Sequence, residues 1–186
     1  MRAAIKIMTG IRDEFEEVVR REGRKVYNLA FRLCGNAEEA KDIAQETFVK
    51  AYECAGRFRG ESQVFTWLYR IACNIWKNRL RYTVRHPVAP LESADPDGCA
   101  YDPPSPDPSP GVSFERGERT TLVRACVEAL EPDDRLLIVL REMEDRSYEE
   151  MARILGWPLG TVKSRLARAR ENLRLKLIPH MERLRQ

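Results

Sequence analysis

The sequence predicts an all-α protein: two small helical bundle domains joined by a long proline-rich acidic linker, with a helix-turn-helix in the C-terminal domain. Three observations predict it. Apolar residues recur at three- and four-residue spacing along most of the chain, with no convincing strand alternation. Residues 87–113 break that pattern with Pro87, Pro90, Pro96, Pro103, Pro104, Pro106, Pro108 and Pro110, five acids (Glu92, Asp95, Asp97, Asp102, Asp107) and no lysine or arginine. Finally, Ser147 to Arg170 reads as two short helices across a tight turn.

The first helix is carried by Phe15, Val18, Val19, Val26, Leu29, Ala30 and Leu33, and should stop near Gly35. Asn36 with Glu39 resembles a capping pair for a second helix, on which Ala40, Ile43, Ala44, Thr47, Phe48 and Ala51 form the apolar stripe to about Ala55. A polar loop, Arg57 to Ser62, precedes a third helix whose Leu68, Ile71, Ala72 and Ile75 face inward. Proline at the density of residues 87–113 forbids helix, so that segment should be an extended, self-repelling strap. It is read either as a passive tether or as a negative strand suited to a groove built for nucleic acid.

Beyond the strap, Leu122 to Leu130 and Arg135 to Met143 predict two more helices. Ser147 with Glu150 matches a capping box, Met151, Ala152 and Leu155 give one apolar face, and Gly156 can stop the helix in a left-handed conformation. Pro158 fits the first turn of the last helix, where Val162, Leu166, Ala169 and Leu173 point inward. The chain thus divides into residues 1–86, a linker 87–113 and residues 114–186.

A net charge of +3 is unremarkable, but the charge is sorted along the chain. Between positions 160 and 178, Lys163, Arg165, Arg168, Arg170, Arg174 and Lys176 face Glu171 alone. Between 57 and 85, Arg57, Arg59, Arg70, Lys77, Arg79, Arg81 and Arg85 face Glu61 alone. Two separate cationic segments in a near-neutral chain indicate two contacts with a polyanion. No apolar run approaches the roughly 20 residues of a membrane span, and the N-terminus lacks a signal-peptide core, so a cytoplasmic protein without membrane insertion is expected. Cys34, Cys54, Cys73, Cys99 and Cys126 form no CxxC pair and should be reduced thiols. His86 and His180 have no metal-ligand spacing, and no phosphate loop or nucleophile motif is present. Neither a metal, a cofactor nor an enzymatic activity is expected.

The candidate binding residues follow from side-chain chemistry. Thr161, Ser164, Arg165 and Arg168 occupy the outer face of the last helix and suit base edges and phosphates in a major groove; the alternative is a solvated basic face. On the third helix Trp67, Arg70, Asn74, Lys77, Asn78 and Arg81 share one stripe without an acid. Cations neutralise phosphates, amides read exposed base edges and rings stack on unpaired bases, a mixture suited to opened DNA. Phe58, Arg59 and Ser62 in the preceding loop could line a pocket for an extruded base. Trp67 and Phe58 equally fit core packing. The second helix is acidic, and its Asp42, Gln45 and Glu46 form a polar surface matched to a basic protein partner or simply to water.

These residues resemble a known family. Asp42 to Tyr52 (DIAQETFVKAY), Phe58-Arg-Gly and Thr66 to Asn74 (TWLYRIACN) resemble region 2 of the bacterial extracytoplasmic-function (ECF) subfamily of sigma-70-type RNA polymerase sigma factors. Leu130 to Arg135 (LEPDDR), Ser147 to Glu150 and Gly160 to Arg170 (GTVKSRLARAR) resemble region 4. The resemblance implies that Asp42, Gln45, Glu46 and Phe48 dock on the clamp helices of the largest polymerase subunit, and that the C-terminal domain meets the flap. It implies that Phe58 to Ser62, with Trp67, Arg70, Asn74, Lys77 and Asn78, open and read the −10 element. It implies that Thr161, Ser164, Arg165 and Arg168 read the −35 duplex, with Lys163 and Arg170 on phosphates. It further implies an anti-sigma factor as inhibitory partner and a linker that threads toward the RNA exit channel. A stand-alone helix-turn-helix regulator of duplex operators is the competing reading. The acid-free aromatic and amide stripe separates the two, because a duplex-only regulator does not need it.

Overall fold

Residues 2–55, 63–86 and 110–180 are described in the computed structural model of the chain. Among them the regular structure is helical throughout: α1 (Arg2–Cys34), α2 (Ala37–Cys54), α3 (Val64–Arg85), α4 (Pro110–Glu128), α5 (Pro132–Ile138), α6 (Tyr148–Leu155) and α7 (Leu159–Leu177).

α1, α2 and α3 pack as one bundle. α1 ends at Gly35, whose φ of 75° lies in the left-handed region, while the Glu128 side chain occupies the space a Cβ would need there. The chain turns at once into α2, where the Asn36 side chain accepts from the Glu39 amide at 3.0 Å, the expected cap. Val26, Leu29, Ala30 and Leu33 of α1 are fully buried with Ala40, Ile43 and Ala51 of α2 and Leu68, Ala72 and Trp76 of α3. Each large side chain so buried contributes about 1.5–3 kcal/mol of transfer free energy. Thr47 joins this core because its hydroxyl is satisfied locally, donating to the Ile43 carbonyl at 2.7 Å.

The C-terminal bundle departs from the sequence expectation in three places. α4 begins at Pro110, inside the stretch read as linker; proline tolerates the first helical turn, where its missing N–H would be unpaired anyway. The helix expected from Arg135 to Met143 is a seven-residue α5 followed by a π turn, Val139–Met143, closed by the Glu144 amide on the Val139 carbonyl at 3.0 Å. Asp145 then takes a φ of 50°, which turns the chain into α6. On α6 the buried positions are Met151 and Ile154, with Ala152 and Leu155 only half-buried. Ile154, absent from the expected stripe, is therefore the second anchor of that face. The capping box of Ser147 and Glu150 forms in both directions, at 3.1 and 2.8 Å. Gly156, at a φ of 69°, ends α6.

The bundles are not held apart. Their buried residues form one continuous core, and α6 lies against α3. Arg135 at the start of α5 donates to the Leu33 carbonyl of α1 at 3.0 Å and to the Glu128 carbonyl, and its guanidinium stands 5.5 Å from the Trp76 ring centre. Arg32 donates to the Met143 carbonyl and to Glu144. Both guanidinium groups are half-buried, where hydrogen-bond partners offset the loss of water.

Candidate nucleic-acid interface

α7 is positioned by its buried seam of Val162, Leu166 and Ala169, with Leu173 half-buried below. That seam leaves two flanks. On one, Ser164, Arg165 and Arg168 are exposed and Thr161 is half-exposed, all within three turns of the helix start. Ser164 rests its hydroxyl on the Thr161 carbonyl at 3.2 Å. Short polar groups flanked by guanidinium groups near the N-terminal end of a recognition helix are suited to base edges. Lys163 and Arg170 lie on the other flank, seven residues apart. Lys163 stands over the Tyr148 ring at 5.8 Å, and Arg170 is tied to Glu142 at 2.7 Å. The structure thus separates these two cations from the face of Thr161, Ser164, Arg165 and Arg168.

α3 presents the expected stripe: Arg70, Asn74, Asn78 and Arg81 are exposed and Lys77 is half-buried. Trp67 is half-buried and packs against the core, the alternative left open for it above. A ring engaged with the core offers less face for stacking on a base. Phe58, Arg59 and Ser62 lie outside the described residues.

The two cationic faces meet at one carboxylate. Lys77 Nζ donates to Asp133 Oδ1 at 2.7 Å, and Arg165 Nη1 donates to Asp133 Oδ2 at 2.8 Å. Burial opposes charge on Asp133, yet the hydrogen bonds and charges of Lys77 and Arg165 outweigh it and hold the carboxyl below its ordinary range. Trp157 lies under both cations, 4.7 Å from the Arg165 guanidinium and 5.7 Å from the Lys77 ammonium. Nothing in the sequence pattern pointed to Asp133, because it sits in the first turn of a short helix where acids are common.

The acidic surface on α2 is also more neutralised than its sequence indicates. Asp42 and Gln45 are exposed and Glu46 is half-buried. Arg79 of α3 reaches Glu46 at 3.0 Å and Asp42 at 3.9 Å. Lys50, with help from Arg79, holds the Glu46 carboxyl below its usual range. Phe48 is half-buried, edge-on to Phe15 with ring centres 6.5 Å apart, and packs against the core. Among the described residues no group of histidine, cysteine, aspartate and glutamate could hold a metal ion, and no helix is long and apolar enough to cross a membrane. Cys73 is buried and its thiol is pushed up to about 12; burial likewise raises Cys34 to about 11.

Residues 18–86 match the family model of sigma-70 region 2, and residues 120–173 match that of sigma-70 region 4. The chain is 38% identical over 176 residues to the RNA polymerase sigma-H factor of Pseudomonas aeruginosa, covering 94% of this chain and 91% of that one. It is 35% identical over 184 residues to the ECF RNA polymerase sigma-E factor of Escherichia coli, covering 96% and 94%. The chain belongs to the ECF sigma factors. Among solved structures, this sigma factor superposes with a TM-score of 0.64 on the sigma factor RpoE of Bartonella quintana, solved in complex with the anti-sigma factor NepR. That match has 27% identity and covers 88% of this chain and 96% of that one. The α3 stripe falls within the region 2 match, and Asp133 and the α7 face fall within region 4. The strap lies outside both.

Proposed function

We propose that this sigma factor brings core RNA polymerase to its promoters by reading the −35 element as duplex with α7 and opening the −10 element with α3. In this reading residues 1–86 form the −10 module, residues 110–186, from the start of α4, the −35 module, and residues 87–109 the tether. Thr161, Ser164, Arg165 and Arg168 address base edges, while Lys163 and Arg170 hold phosphates on the neighbouring flank. Arg70, Asn74, Lys77 and Asn78, with Phe58, Arg59 and Ser62, engage the opened strand, and Trp67 braces that surface from the core side.

The observation that carries the reading is the α3 stripe, in which Arg70, Asn74, Asn78 and Arg81 are all exposed with no carboxylate among them. An ordinary solvated helix face would mix acids with bases. Asp42, Gln45 and Glu46, with Phe48, form the contact for the clamp helices of the largest polymerase subunit, and the C-terminal module meets the flap. The chain supplies binding free energy and no catalytic group, so nucleotide addition stays with the core enzyme in the cytoplasm. The likeness to a sigma factor solved with an anti-sigma factor supports an inhibitory partner of that class here. Footprinting of holoenzyme on genomic promoter fragments tests the assignment: protection centred near −35 and −10 supports it, and binding of duplex by the free chain with no holoenzyme footprint favours a stand-alone regulator.

A further inference from the structure

Tyr82 of α3 belongs to neither DNA-facing surface, yet 63% of it is exposed. Its ring stacks on His86 with centres 4.4 Å apart, which covers one face and leaves the other to solvent. Tyr82 stands on the α3 wall of an open cleft of about 660 Å³, whose α2 wall carries Glu39, Asp42 and Glu46. The cleft is therefore continuous with the polymerase contact proposed for α2. We infer that it receives an arginine of the clamp helices, which pairs with Glu39 and Asp42 and lies against the open face of Tyr82. The inference rests on that α2 contact and extends it onto α3.

The cleft already holds one guanidinium of its own. Arg79 reaches Glu46 at 3.0 Å but Asp42 only at 3.9 Å. Lys50 takes Glu46 as well, at 2.6 Å. Glu46 is thus fully claimed, while the Asp42 side chain is loosely held and 68% exposed. Glu39 has no ion pair among the described residues, because the cap at the start of α2 uses its backbone amide. Burial pushes the Glu39 carboxyl up, and the charge of Arg79 offsets this only in part. Three carboxylates against Arg79 and Lys50 leave the cleft one negative charge in excess, and an incoming cation removes that excess.

The residues present select a guanidinium over an ammonium. Glu39 and Asp42 are three residues apart on one helix face, within the span of a planar fork that can also lie flat on an aromatic ring. Exposed ion pairs alone contribute little to binding, so the ring supplies much of the anchoring. DNA is the wrong occupant, since carboxylates on the facing wall repel phosphates. Tyr82 is in this way set apart from Arg81, its neighbour on the DNA-facing stripe.

Association of core polymerase with the immobilised full chain, measured without DNA, tests the inference. Tyr82→Ala should weaken it about fivefold, whereas Tyr82→Phe keeps the ring face and should stay within about twofold of wild type. Glu39→Gln should weaken it about threefold. The urea midpoints of all three should match wild type, since Tyr82 is exposed and Glu39 holds no ion pair. If Tyr82→Ala associates like wild type while charge reversal at Asp42 weakens association, the cleft inference is overturned and the α2 contact survives. Tyr82→Phe as weak as Tyr82→Ala would assign the effect to the hydroxyl and overturn the stacked guanidinium. If reversal at Asp42 has no effect either, the α2 contact fails and the cleft inference falls with it.

Discussion

The Tyr69 hydroxyl on α3 donates to Glu144 at 2.6 Å across 75 residues of sequence. Glu144 is only 8% exposed and also takes Arg32, so it joins the two bundles from the end of the π turn. Burial, then the neighbouring Glu144 charge, push the Tyr69 phenol well above its usual range, so it remains a donor at every ordinary pH. Tyr69→Phe leaves a buried carboxylate short of one partner and should destabilise the chain by about 1–3 kcal/mol. A urea midpoint unchanged from wild type would show that the pair contributes nothing to stability.

On α7, Arg168→Ala should lose about 1–3 kcal/mol of discrimination between the natural −35 element and one with a substituted base. Arg165→Ala should lose a similar amount, and it also releases Asp133. Competitive binding of holoenzyme to paired promoters measures both. Discrimination unchanged from wild type in both variants would remove α7 from base reading.

Asn74 is exposed on α3 and no bundle contact depends on its amide, so its replacement isolates strand opening from folding. Asn74→Ala holoenzyme should assemble normally yet show weaker permanganate reactivity of thymines in the −10 element. A wild-type bubble would contradict the role given to it.

Charge reversal at Asp42, the more exposed acid of the α2 face, should weaken capture of core polymerase at least severalfold in a pull-down while the urea midpoint stays near wild type. Reversal at Glu46 should weaken capture as well but also lower stability, because Glu46 holds Lys50 and Arg79 at 2.6 and 3.0 Å. Retention equal to wild type in both would place the polymerase contact elsewhere.

Acid should loosen the fold in a definite window. Asp133, Glu46 and Glu22 all have carboxyls held below their ordinary range. Their contribution is complete above the unfolded carboxylate values of about 4 and disappears as pH falls through the lower folded values. Urea midpoints should therefore hold from pH 7 to about 5 and decline below about 4. Asp133→Asn should show a shallower decline, and an acid limb as steep as wild type would deny that residue its share.

Much of this was legible in the sequence, because helical periodicity and caps act locally. Asn36, Ser147 with Glu150, Gly35 and Gly156 each specify a boundary through a bond or a φ within a few residues. The exposed stripe on α3 and the exposed polar face of α7 follow from the same period. What the sequence hid depends on distant partners. The π turn at Val139–Met143 leads into Glu144, whose partners Arg32 and Tyr69 are both distant from it in the chain. Asp133 looks like an ordinary first-turn acid until α3 and α7 bring Lys77 and Arg165 to it. Arg79, counted with the DNA-facing cations by composition, is instead drawn to the acids of α2. Phe48 and Trp67, each given both an apolar and a binding reading by the sequence, divide their area between core and solvent.

The central claim is that this chain gives RNA polymerase its choice of start site. Transcription in vitro, with purified core enzyme and a pool of genomic fragments from the host, tests it most directly. Addition of the chain should produce transcripts with defined 5′ ends, each preceded by shared −35 and −10 sequences and lost with Arg168→Ala or Asn74→Ala. Transcripts no different in start site from those made by core enzyme alone would contradict the account.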